Sequence, residues 1–157
     1  MLGGIGNTPE PYWFTLNATS EDGIHLSAEI VPFNNGNKIN IIDGNVDTCC
    51  EFQCTSNSII KISLNEILNK LKYIKSVKIN FGALSSRFSL ITLQFYDEKY
   101  NLIGQTSKPM TLDFINSNVQ FDLIEDCKIV SHLTITLTKN SSSIAYITIS
   151  EIEFFGY

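Results

Sequence analysis

Asn40-Ile-Ile-Asp43-Gly44-Asn45-Val-Asp47-Thr48 and Ile147-Thr-Ile-Ser150-Glu151-Ile-Glu-Phe-Phe-Gly156 are the stretches on which the fold turns. The first packs two carboxylates, an amide and a hydroxyl into a turn opened by glycine. Hard cations such as calcium collect about 6–8 oxygens, backbone carbonyls among them, so this composition can serve one. The same residues also describe a plain Asx-rich turn with Glu151 left in solvent. The second stretch is a strand that changes phase. Ile147 and Ile149 share one parity while Ile152 and Phe154 share the other, so the alternation slips at Ser150–Glu151. A one-residue slip is the signature of a β-bulge, which exposes a carbonyl and re-aims a side chain.

Working outward, short β-like runs alternate with turn clusters: Asn34–Lys38, Asp97–Asn101, Asn116–Asn118 and Asn140–Ser143. That rhythm predicts an all-β antiparallel sandwich of the jelly-roll kind. Candidate strands cover 14–18, 24–31, 51–54, 59–63, 74–81, 88–96, 101–106, 119–124, 129–138 and 144–155, with about eight in the core. Two alternate cleanly. In 88–96, Ile91, Leu93 and Phe95 share a face, and Thr92, Gln94 and Tyr96 the other. In 129–138, Ile129, Leu133, Ile135 and Leu137 oppose His132, Thr134, Thr136 and Thr138, which reads as one buried and one wet face with His132 on the wet side.

One helix interrupts the pattern. Ser63-Leu-Asn-Glu66 has capping-box form, and Leu64, Ile67, Leu68 and Leu71 follow at helical spacing, predicting a short helix over 64–72. Residues 1–13 are rich in Gly and Pro and read as an N-terminal arm ahead of a domain over 14–157. Its aromatics, Tyr12 and Trp13 with Phe14 behind them, either cap the sandwich or dock on a neighbouring subunit.

The two opening motifs together resemble the discoidin (F5/8 type C) domains and the related carbohydrate-binding modules of the galactose-binding-like superfamily. Those domains open with a DGN-x-x-T loop and close on a strand reading S-E-I-x-x-x-G. The resemblance runs from about Asn37 to the C-terminus and includes the central VKINFG and SLITLQFYDEKYNLIG segments. It implies a structural calcium ion held by the side chains of Asp43, Thr48 and Glu151. Carbonyls of Asn40, Asn45, Thr48 and Ser150 would complete the shell. It also places a ligand-binding arginine at Arg87, in the loop Gly82–Arg87, with Tyr73, Phe81 or Tyr146 available as a ring. Such domains usually carry an aromatic just after the loop threonine. Here Cys49 and Cys50 follow, so Cys50 or Phe52 must fill that core position. An EF-hand fails on the same residues, because its sixth position is Thr48 rather than Gly and its twelfth is Cys54 rather than Glu.

Composition narrows the function. Charged residues are only 17% and the formal charge is -5, a surface that repels phosphate and excludes nucleic acid as a partner. No run reaches the roughly 18 apolar residues of a membrane span. The N-terminus lacks a basic n-region and an apolar h-region, so the expectation is a chain made in the cytoplasm and released, if at all, within a particle. The two histidines, His25 and His132, form no metal or catalytic pair, and no nucleophile motif is present, so no enzyme is expected. The four cysteines, 49, 50, 54 and 127, lack zinc spacing and read as thiols, with a Cys54–Cys127 disulfide left open. Two functions remain. One is a calcium-stabilised module recognising cell-surface carbohydrate; the other is a structural or adaptor subunit of a larger assembly, such as a phage tail or baseplate.

Overall fold

The computed structural model describes residues 9–157. In chain order the elements are β1 (Tyr12–Thr15), β2 (Ile24–Leu26), β3 (Ile30–Pro32), β4 (Cys50–Cys54), β5 (Ser58–Ser63), α1 (Leu64–Leu68), β6 (Tyr73–Leu84), β7 (Phe88–Tyr96), β8 (Leu102–Pro109), β9 (Asn118–Asp122), β10 (Lys128–Ile129), β11 (His132–Lys139) and β12 (Ala145–Gly156). They form two antiparallel sheets. The smaller runs β2-β5-β11-β7-β8; the larger runs β10-β6-β12-β4-β3, with β1 added to β12 and β9 to β6. This is the all-β sandwich that the alternation predicts.

The core lies between the sheets. Ile60, Ile62, Ile91, Leu93, Phe95, Leu133, Ile135 and Leu137 come from the smaller sheet; Phe52, Val77, Ile79, Phe81, Ile147, Ile149, Ile152 and Phe154 come from the larger. Each side chain is fully buried, because period-two alternation puts every second residue on the inner face. Cys50 and Phe52 are both buried in the core just after the loop threonine. Cys50 is inward and Cys49 exposed, as neighbours on a strand must be. All four cysteines are free thiols. Cys54 lies opposite Ala145 at one end of the larger sheet, whereas Cys127 precedes Lys128, opposite Ile74, at the other, so the two cannot bond within one chain.

Several boundaries differ from the sequence reading, each for a physical reason. The run 24–31 is two strands in different sheets, as is 129–138, because the chain crosses between layers at 27–29 and again at Val130–Ser131. The helix expected over 64–72 stops at Leu68, where Asn69 turns left-handed (φ 53) and closes it. Ser63 makes no side-chain capping bond, being the last residue of β5. His132 is not on a wet face: it is 8% exposed, stacked 4.5 Å from the Tyr100 ring, and its Nδ1 has no partner among the described residues. Of the arm expected over 1–13, residues 1–8 lie outside the described residues. Tyr12 and Trp13 are in β1, paired with Gly156 and Phe155.

β12 is the organising strand. β6 pairs along one edge of it; β4 and β1 share the other edge, end to end. β4 stops at Cys50, opposite Ile149, and β1 stops at Thr15, opposite Glu153. Ser150, Glu151 and Ile152 therefore face a gap on that edge, and the loop carrying Asp43–Thr48 fills it.

Candidate functional site

The loop is built by short-range hydrogen bonds. Asp43 Oδ1 accepts the Asn45 N–H at 2.9 Å, and Asn45 Oδ1 accepts the Asp47 N–H at 2.9 Å, two successive Asx turns. The Thr48 hydroxyl lies 2.7 Å from Asp43 Oδ2 and 2.9 Å from the Asn45 carbonyl. Asn40 ties the base, its amide donating to the Cys49 carbonyl at 3.0 Å. Gly44 has φ +84, and a side chain there would overlap Asn17 Oδ1, so only glycine fits the turn.

That turn aims the Gly44 N–H at Glu151, 3.1 and 3.3 Å from its two carboxylate oxygens, across 107 residues of sequence. The bulge delivers Glu151. The register shifts between Ile149 and Glu151, so Glu151 and Ile152 are buried in succession, and the Ser150 hydroxyl turns to Asn80 Oδ1 at 2.6 Å. Glu151 is 1% exposed. Burial first, then the nearby charge of Asp43, pushes its pKa up to about 8, against the opposing Gly44 N–H. Among the described residues no Lys, Arg or His lies within ion-pair distance of either carboxylate.

A buried carboxylate facing a second carboxylate, with no cationic side chain in contact, suits a hard oxygen-seeking cation. The donor set is two carboxylates, the Thr48 hydroxyl and loop carbonyls, which matches calcium chemistry. Among the described residues no three His, Cys, Asp or Glu side chains cluster as a metal site, so neutral oxygens would have to supply the remaining ligands. The structure thus brings Asp43, Asn45, Thr48 and Glu151 together, with Asn40 and Ser150 bracing the two strands of chain that meet. Asn17, which packs against Gly44 and accepts from the Thr15 hydroxyl at 3.0 Å, went unnoticed in the sequence; its spacing from the loop gives no signal.

Arg87 stands apart, in the turn between β6 and β7. Its guanidinium donates to the Ile144 carbonyl at 2.6 Å, and its own carbonyl accepts the Asn140 N–H at 2.9 Å. Ile144 precedes Glu151 by seven residues, roughly 23 Å along an extended strand. Of the three rings considered, Phe81 is in the core and Tyr73 stacks on Tyr157 at the far end of β6. Tyr146 is beside Arg87: its carbonyl accepts the Ser85 N–H at 3.0 Å, and its ring packs 4.9 Å from Phe33.

No protein-family model matches the chain, and no curated protein matches it in sequence. Solved structures match it in fold. The lectin domain of lectinolysin, complexed with Lewis B antigen, is 16% identical with a TM-score of 0.67, over 92% of this chain and 97% of that one. A Streptococcus pneumoniae fucose-binding module is 17% identical with a TM-score of 0.61, over 92% and 96%. The family 32 carbohydrate-binding module from C. perfringens NanJ, in complex with galactose, is 12% identical with a TM-score of 0.61, over 88% and 97%. The fold is therefore the discoidin-like, galactose-binding-type sandwich that the two motifs imply.

Proposed function

We propose that this chain is a non-catalytic carbohydrate-recognition module whose Asp43–Thr48 loop is held by calcium. The observation that carries the reading is the extent of the fold match, which spans nearly the whole of this chain and of the sugar-binding modules. Arg87 is the recognition residue of this reading. Only one of its donors is committed to Ile144, and its planar fork suits paired hydroxyls or a carboxylate. Calcium acts at a distance, by holding the loop and β12 together.

The particle-subunit reading draws less support. Part of the aromatic cluster that would dock on a neighbour packs within the chain: Phe14 stacks on Phe154 and Trp13 packs 5.1 Å from Phe155, while Tyr12 stays exposed. A glycan array read with calcium and with chelator tests the proposal. Calcium-dependent binding that disappears in Arg87→Ala, at unchanged melting temperature, supports it. Silence across the array, with the chain co-purifying in a larger particle, overturns it.

A further inference from the structure

The outer face of the larger sheet carries a registered row of four side chains. Trp13 on β1 pairs with Phe155 on β12, Phe155 with Ser76 on β6, and Ser76 with Asp122 on β9. Two large rings, then the smallest hydroxyl, then a carboxylate leave a trough whose floor is Ser76. Its volume is about 360 Å³, within the range of ligand clefts, and Lys75, Gln120 and Ile124 close its sides. The rings are 5.1 Å apart at 46°, forming one tilted apolar wall. A bulge between Ile74 and Ser76 turns Lys75 outward as well, its Nζ 5.6 Å from the Phe155 ring. Lys78 pins the indole from one side at 4.0 Å.

The opposite wall is a fixed acceptor. Asp122 Oδ1 accepts from the Ser76 hydroxyl at 2.7 Å and from the Gln120 amide at 3.0 Å. Those two donors hold its carboxyl below the usual range. Oδ2 has no protein partner among the described residues and is left to a ligand.

We infer that this trough is a second sugar subsite, taking a neutral pyranose on the sheet face independently of Arg87. The chemistry selects that class. Asp122 and Glu125 disfavour an anion, and Lys75 and Lys78 disfavour a cation. A purely apolar ligand would satisfy the rings and leave Asp122 and Gln120 unmatched. A pyranose presents a C–H face to the rings and a hydroxyl edge to Asp122 Oδ2 and the Lys75 ammonium. The trough is eleven residues along β12 from Ile144, the residue Arg87 touches, so the two sites cannot share one ring. The inference rests on the reading that this module's ligands are sugars.

Trp13 is the only tryptophan in the chain, so its fluorescence reports on the trough alone. The full chain is titrated with methyl galactoside, methyl fucoside and N-acetylglucosamine. We expect a saturable change with at least one of them, unaltered in Arg87→Ala and weakened about tenfold or more in Asp122→Ala. Ser76→Leu, which fills the floor, should abolish it, with melting temperature and circular dichroism confirming that each variant is folded. A signal kept by Asp122→Ala and lost in Arg87→Ala overturns the trough and leaves the proposed function standing. No response to any of the sugars, with array binding intact, also removes the trough alone. Silence in both assays removes both.

Discussion

Glu151 on β12 and Asp122 on β9 belong to one sheet, and their surroundings push them in opposite directions. Glu151 is buried against a second carboxylate with one backbone donor, and its pKa rises to about 8. Asp122 is exposed beside two side-chain donors, and its pKa falls. Both are held, but the first arrangement lacks positive charge and the second does not. A carboxylate short of positive charge calls for a cation; one satisfied by neutral donors is an acceptor ready for a hydroxyl. Each of the following experiments acts on that contrast.

The largest effect is expected from calcium. At about a hundredfold excess over Kd, ligand linkage contributes about 2.7 kcal/mol, which raises the melting temperature of a chain this size by about 5–10 °C. Asp43→Ala should lose that response; a full response in the variant would rule out the ligand set. Chelated protein should show the sign of the Glu151 shift. Between the ordinary glutamate range and about 8 the unfolded chain has released this proton and the folded chain has kept it, so stability falls as pH rises through that window. Glu151→Gln should flatten the profile, raise the melting temperature in chelator at pH near 8, and abolish the calcium response. A slope unchanged by the substitution would place the titration elsewhere.

Gly44→Ala tests the turn rather than the charge. Its positive φ and the approach of Asn17 predict a loss of about 1–2 kcal/mol by urea unfolding, with weakened calcium affinity because the N–H that reaches Glu151 must move. At the other extreme, Asp122→Ala and Arg87→Ala should each shift stability by no more than about 0.5 kcal/mol, since both side chains are on the surface. A large loss in either would recast that residue as structural.

Legibility followed how local the cause was. Strand 88–96 was predicted to the residue, because Ile91, Leu93 and Phe95 alternate without interruption. The bulge was legible as well, since a parity slip between Ile149 and Ile152 is written in four consecutive residues. The 24–31 and 129–138 runs misled because continuity of apolar pattern cannot show that the chain leaves one sheet for the other. His132 obeyed its parity and was still buried, because Tyr100, arriving from the β7–β8 turn, covers that face.

The candidate sites divide the same way. Asp43, Thr48 and Glu151 could be named because two short motifs, each recognisable alone, imply one another. Trp13, Ser76, Asp122 and Phe155 could not, for they come from four strands and meet only through three registers. The amino-acid sequence on its own determined the layer architecture, the alternation of the core and the oxygen-rich turn, all of which depend on neighbours a few residues apart. Tertiary structure alone decided that β1 and β4 leave a gap at Glu151, that Arg87 is far from it, and that a small side chain lies between Phe155 and Asp122. Those outcomes depend on which strand lies beside which, and hydrogen-bond register between distant segments leaves no trace in local periodicity.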